Sequence, residues 1–329
     1  MKFLRILMLS FMAVLLVACG DDEKSSTSTN TENTTQETAQ KEEVSAYPKT
    51  FVDGRGKEIT INEKPKKIVS TTLAMDEYLL SLTDAANIAA VTQISTDAGI
   101  SNVAGQTDAI ETKFETVTAE QVLALEPDLV LVPSYVSPDV LNQLDDAGLT
   151  TYQVVDDSSF AGILETVKVL GEMIGEEQKA SEIVADIEKR IDTLKADADK
   201  VETKKRVLYY TEYLSSVTDN TTIGEMINLA GGVNVISEAG IVGDDYPDYP
   251  NVSKEVLVEL NPEVIFTTAW GAGEGEPAFV TEWKNDPALS EVAAIKNNQV
   301  YVLDSANVTT ASHFVIEGAE EMKAILAGE

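Results

Sequence analysis

The sequence predicts an α/β protein of two lobes, each on a mostly parallel sheet, joined by a single long rigid α-helix. Three observations carry this reading. Apolar runs of strand length alternate with helical patterns from Pro65 onward, which argues for parallel strands covered by helices. One helix–Pro–strand unit, 117–131, recurs at 252–266 with a fixed offset of 135. Between the two copies lies the longest helical pattern of the chain, residues 176–199.

The elements follow in order. Lys2 and Arg5 precede an apolar stretch, Ile6–Ala18, too short for a comfortable transmembrane helix. It ends Leu16-Val-Ala-Cys19, small residues before the only cysteine. This resembles the lipobox of bacterial lipoproteins, so residues 1–18 read as a signal peptide and Cys19 as the lipidated residue. Two acyl chains at about 0.8 kcal/mol per buried methylene make a lasting anchor. Residues 20–46 are rich in Ser and Thr and carry no aromatic residue. Such a segment cannot bury enough surface to offset its ordering entropy and reads as a disordered linker.

The body then opens with Phe51–Ile61, where Asp53-Gly54 and Gly56 between β-rich runs predict a hairpin. Lys67–Ser70 reads as a buried strand, Asp76–Leu82 as a helix, Thr118–Leu125 as a helix and Asp128–Val132 as a strand. Asp139–Ala147 is helical with Gly148 as its stop, and Thr150–Val155 is a strand. Thr118 and Ser253 are N-cap candidates in the repeated unit. Pro127 and Pro262 end its two helices. In 176–199, Ile183, Ile187, Ile191, Leu194 and Ala198 form one apolar stripe. That helix spans roughly 35 Å at 1.5 Å per residue. The predicted divisions are an N-terminal lobe at 47–175, the helix at 176–200 and a C-terminal lobe at 201–329.

Composition excludes several classes. The chain has 329 residues, 24 Lys and Arg against 56 Asp and Glu, and a formal charge of -32. Such a chain repels phosphate backbones, so no nucleic acid is expected as partner. One His and one Cys rule out a disulfide framework and a Cys/His metal centre. No catalytic residues, intrinsic cofactor or direct metal site are expected, and there is no phosphate-binding loop or nucleophile elbow.

The order of motifs resembles a bacterial solute-binding lipoprotein of the iron-siderophore, haem and cobalamin uptake type, which feeds an ATP-driven (ABC) importer. Asp53-Gly-Arg-Gly-Lys and Pro65-Lys-Lys-Ile-Val-Ser70 match the family opening, and Asp76-Glu-Tyr-Leu79 its first helix. The Leu-x-Pro-Asp-Leu-Val element appears twice. Thr222–Val235 is similar to the second-lobe helix and Gly-Gly turn, and Asn285-Asp-Pro with Ala293–Val302 to the final strand approach. The resemblance implies Rossmann-like lobes of the periplasmic-binding-protein type with a helical backbone. It also implies a monomer on the outer face of the cytoplasmic membrane that passes its ligand to a permease dimer and, indirectly, an ATPase. It gives Glu77 and Glu225 the role of docking acids, one per lobe. A helix-dipole role in a first turn is the alternative for both.

A ligand is expected between the lobes, at loops following the strands. Those ends offer Thr72, Met75, Tyr135, Tyr210, Tyr213, Trp270 and His313. Tyr and Trp stack on large ligands while keeping a hydrogen-bonding tip; each also reads as a core aromatic, and His313 as a helix-start residue. No strand-end loop carries a basic cluster, which favours a neutral or cationic ferric siderophore of hydroxamate type over catecholate or citrate complexes. Haem or cobalamin is the alternative ligand. A surface protein of adhesin type is a more distant reading, and its modules would normally be all-β.

Overall fold

The computed structural model describes residues 47–156, 158–269 and 276–328. Strands β1 (Lys49–Val52) and β2 (Glu58–Ile61) form the expected antiparallel hairpin. The Asp53 carboxylate accepts the N–H groups of Arg55 and Lys57, each at 3.0 Å, and so shapes its turn. The first lobe comes next: β3 (Ile68–Ser70), α1 (Leu73–Leu82), β4 (Ile88–Thr92), β5 (Thr112–Phe114), α2 (Ala119–Ala124), β6 (Leu129–Val132), α3 (Pro138–Asp146), β7 (Thr151–Gln153) and α4 (Phe160–Ile174). Its sheet has the order β5-β4-β3-β6-β7 with every neighbouring pair parallel. The hairpin turn lies on the outer edge of this sheet, where the Gly54 N–H donates to the Gln153 carbonyl at 2.8 Å. A Cβ at Gly54 would stand 2.5 Å from the Val154 carbonyl oxygen, so only glycine allows that approach. An otherwise open strand edge is thereby covered.

The long helix α5 (Glu177–Ala198) leads into the second lobe: β8 (Arg206–Tyr209), α6 (Thr222–Leu229), β9 (Val233–Asn234), α7 (Val235–Glu238), α8 (Lys254–Leu260), β10 (Val264–Thr268), α9 (Ala278–Asn285), α10 (Ala293–Lys296), β11 (Val300–Leu303), α11 (Ser305–Val308) and α12 (Val315–Ala327). Its parallel sheet runs β11-β10-β8-β9. Reversed, this order matches β4-β3-β6-β7, with β6 and β10 in equivalent places. The repeat therefore marks a shared architecture. Thr118 and Ser253 accept hydrogen bonds from the N–H groups of Gln121 and Val256 as N-caps. Glu126 and Asn261, each before its proline, leave the helices with φ of 47° and 44°. No helix among the described residues is long and apolar enough to cross a membrane.

Helix α5 packs on both lobes. Ala180, Val184, Ile187, Ile191, Leu194 and Ala198 are its buried stripe, while Ile183, expected in the stripe, is only partly buried. The helix crosses α4 closely where Ala180 meets Gly171. On the other side Arg190 pairs with Glu317 at 2.7 Å and Glu320 at 2.5 Å, and Lys323 with Asp197 at 2.6 Å, tying α12 to α5. A Cβ at Gly171 would lie 2.2 Å from the Ala180 Cβ. Gly171→Ala is therefore expected to push α4 off α5 and lower stability by about 1–3 kcal/mol, read as a shift in the urea unfolding midpoint.

Candidate ligand cleft and interlobe junction

In a parallel sheet every strand ends at the same edge. In the first lobe the chain leaves β3 toward β4 on one side and later reaches β6 on the other. The loops after β3 and β6 therefore diverge and leave a crevice, the usual ligand position in such sheets. The equivalent crevice of the second lobe lies after β8 and β10. Helix α4 follows β7 and α6 follows β8, so both helices start at these edges. The carboxylate of Glu225, in the first turn of α6, accepts the Phe160 N–H at the start of α4 at 2.8 Å. The two strand-end edges thus face one another across the lobes.

Of the residues expected in this cleft, Tyr135 after β6 is 72% exposed and Tyr213 after β8 is 79% exposed. Thr72 begins α1 at the β3 end, and its buried hydroxyl has no hydrogen-bond partner. Its neighbour Thr71 donates to the Leu131 carbonyl at 2.8 Å and joins the two strand ends. Trp270 lies outside the described residues, as does Cys19.

Three cleft expectations need correction. Tyr210 is fully buried, donates to the Val252 carbonyl at 3.0 Å and packs its ring 4.9 Å from that of Trp283. It directly follows β8, and the alternation of side chains turns it into the second-lobe core. Met75 is fully buried in the core under α1. His313 precedes α12 rather than lying in it, and is buried between Tyr78 and Phe314 with ring distances of 5.8 and 4.3 Å. Burial holds its imidazole neutral, down at about 4.

Two exposed aromatics that the sequence did not single out are Tyr246 and Tyr249, in the long segment between α7 and α8; Tyr246 is 72% exposed. That segment lies along the loop after β8. Ser216 N–H reaches the Pro250 carbonyl at 3.0 Å and Val252 N–H the Leu214 carbonyl at 2.7 Å. The two Tyr-Pro pairs in Asp244–Pro250 were the available signal. The two-residue strand β9 was too short to mark the segment as a strand-end loop.

Glu77 also departs from expectation. A docking acid must be exposed, yet Glu77 is fully buried. Its Oε1 accepts from Asn102 N at 3.0 Å and Asn102 Nδ2 at 3.1 Å. Its Oε2 accepts from the hydroxyls of Thr310 and Ser312, in the second lobe. Glu225 is half-buried, with its Oε2 engaged by Phe160. It borders a cavity of about 440 Å³ between α4, α5 and α6, floored by Phe160, Leu164, Ile191 and Leu229. Among the described residues no group of His, Cys, Asp and Glu could hold a metal ion.

Beside Glu77, Asp76 is fully buried and accepts from Thr92 N at 3.1 Å and from the Thr92 hydroxyl. Burial pushes its carboxyl up to about 7, and the charge of Glu77 adds to the rise. The folded protein therefore holds a proton that the unfolded chain releases near pH 4. Stability contributed by Asp76 is present at low pH and is lost as the pH rises through 7. Unfolding midpoints of the wild type are expected to rise from pH 8 to pH 5, and Asp76→Asn should remove on the order of 2–3 kcal/mol of that dependence. An unchanged slope in urea titrations at the two pH values contradicts this account.

Comparison with known proteins agrees with this architecture. Residues 68–306 match the family described as periplasmic binding protein. An ABC transporter substrate-binding lipoprotein of Bacillus subtilis (strain 168), YvrC, is 30% identical over 94% of this chain and 92% of its own. A cobalamin-binding protein of Halobacterium salinarum is 26% identical over 78% of this chain and 70% of its own. The crystal structure of an ABC transporter substrate-binding protein from Listeria monocytogenes superposes with a TM-score of 0.64 at 26% identity, covering 81% of this chain and all of that one. With two parallel-sheet lobes on one helix and a family match across both, this chain belongs to the periplasmic binding protein family.

Proposed function

We propose that the protein captures an uncharged or cationic metal chelate, a corrinoid in the first place, and delivers it to the permease of an ABC importer. The observation that carries this is the charge of the cleft edge. Segments 71–72, 93–111, 133–137, 154–159, 210–221, 235–253, 269–277 and 304–314 all begin at or near the C-terminal ends of the strands. None of them contains a lysine or arginine. Their acids include Asp97, Glu212, Asp244, Asp245 and Glu274. Ferric citrate, a ferric catecholate and the two propionates of haem all require cationic partners. A corrinoid or a ferric hydroxamate does not, and Tyr135, Tyr213 and Tyr246 offer it aromatic surface. The cobalamin-binding relative favours the corrinoid, which reverses the order expected from sequence. Cys19 supplies the lipid anchor on the outer face of the cytoplasmic membrane.

Titrating the protein with cyanocobalamin, a cationic ferric trihydroxamate, haemin and ferric citrate, with aromatic fluorescence as readout, tests the reading. One of the first two is expected to bind with a Kd of about 1 μM or below, a binding free energy near -8 kcal/mol. Tyr213→Ala should weaken that complex by about 1–3 kcal/mol. Tightest binding of haemin or ferric citrate rejects the charge argument.

The docking acids also need reassignment. Two equivalent lobes on two permease halves call for an exposed acid at equivalent positions, and the offset of 135 pairs Glu120 with Glu255. Both are exposed, in the first turns of α2 and α8. Each helix precedes a parallel strand and so begins at the cleft edge. Exposed charges of this kind act on encounter and register. The double variant Glu120→Ala/Glu255→Ala is expected to cut cellular uptake severalfold while ligand affinity in solution stays unchanged. Normal uptake by the double variant removes both from docking.

A further inference from the structure

Residues 304–314 leave the second lobe at the end of β11 and return to it as α12, which packs on α5 and α6. In between they lie against the first lobe. Tyr78 Oη donates to the Ala311 carbonyl at 2.9 Å, and Asn102 Nδ2 to the Ala306 carbonyl at 2.8 Å. Thr310 and Ser312 both donate to Glu77 Oε2, and the two hydroxyls lie 3.1 Å apart. This junction is buried and its polar contacts converge on a single carboxylate, while Ala306 and Val308 of the same segment are buried apolar residues. No lysine or arginine among the described residues pairs with Glu77, and its four donors are all neutral.

We infer that residues 304–314 form a releasable strap between the lobes, locked on Glu77, and that ionisation of Glu77 favours its opening. The thermodynamics follow from solvation. A buried carboxylate loses its hydration, and neutral donors compensate only in part. Opening the strap returns Glu77 to water. Burial accordingly lifts the Glu77 carboxyl above its usual range despite four hydrogen bonds. Protonation of Glu77 therefore favours the closed strap more than the open one, so opening becomes easier as the carboxyl ionises. The titratable neighbours add no cation. Asp76 is on the same helix, His313 in the strap is held neutral, and Asp304 at the strap's start has its N–H on Glu321. The strap is distinct from α5, which keeps the lobes joined when it opens, and the inference holds whichever chelate occupies the cleft.

Glu77→Gln provides the test, because it keeps the shape and removes the charge. Its amide oxygen can accept from Asn102, and its Nε2 can donate to the hydroxyl oxygens of Thr310 and Ser312. Hydrogen exchange of peptides covering 304–314 is measured on the apo full chain at pH 6 and pH 8. Values are corrected for intrinsic rates and normalised to the buried amides of α4. In the wild type, exchange of the strap relative to α4 is expected to rise with pH. In Glu77→Gln it should be about tenfold slower than wild type at pH 8, equivalent to one decade in the opening equilibrium, and rise less with pH than in the wild type, only Asp76 being left to titrate at the junction. Ser312→Ala, which removes a donor and keeps the charge, should exchange faster than wild type. Equal or faster exchange in Glu77→Gln at pH 8, or a wild-type strap that opens only together with α4, overturns the inference. Should Glu77→Gln fail to fold, unchanged strap exchange in Ser312→Ala overturns it equally.

Discussion

The apolar stripe of α5 is the feature against which both lobes are built. Its first half packs on α4 and its second half on α6 and α12. A single hydrophobic core consequently runs from Ile68, Leu129 and Val167 in one lobe, past Ile187 and Ile191, to Val207, Met226 and Met322 in the other. Lobes that share a close-packed core move by small tilts, because large rotation would open voids in it. Gly171 shows how tight the arrangement is, since α4 and α5 cross with no room for one additional carbon.

Charge is distributed in two distinct ways. On the flank of α5, acids are paired: Arg190 with Glu317 and Glu320, Lys323 with Asp197. At the junction of the lobes, Asp76 and Glu77 are buried side by side and held by hydroxyls and amides. The cleft edge continues the same bias, acidic and without a lysine or arginine in any strand-end segment. Buried acids without a cationic partner cost stability at neutral pH.

The internal repeat gives this architecture its second organising feature. Units equivalent down to the left-handed residue before each proline place α2 and α8 alike in their lobes. A dimeric permease presents two equivalent halves, and a pseudo-symmetric pair of first-turn acids suits such a partner. Glu225 and Glu77 sit in dissimilar surroundings. One caps α4 from the opposite lobe and the other lies inside the junction.

The sequence determined the features that depend on local chemistry and periodicity. The hairpin turn at Asp53–Gly56, the N-caps Thr118 and Ser253, the helix stops before Pro127 and Pro262 and the long stripe of α5 are all written in neighbouring residues, and the structure contains each of them. The alternation of strands and helices also placed Thr72, Tyr135 and Tyr213 at strand ends near the crevices. Tertiary structure decided which way each side chain faces once the strand ends. Tyr210 and Tyr213 are three residues apart, and only packing against Trp283 makes one of them core and leaves the other exposed. Glu77 shares that logic on a larger scale. Its partners Thr310 and Ser312 are 233 and 235 residues away in sequence, so no local pattern distinguishes a surface acid near a helix start from one buried between lobes.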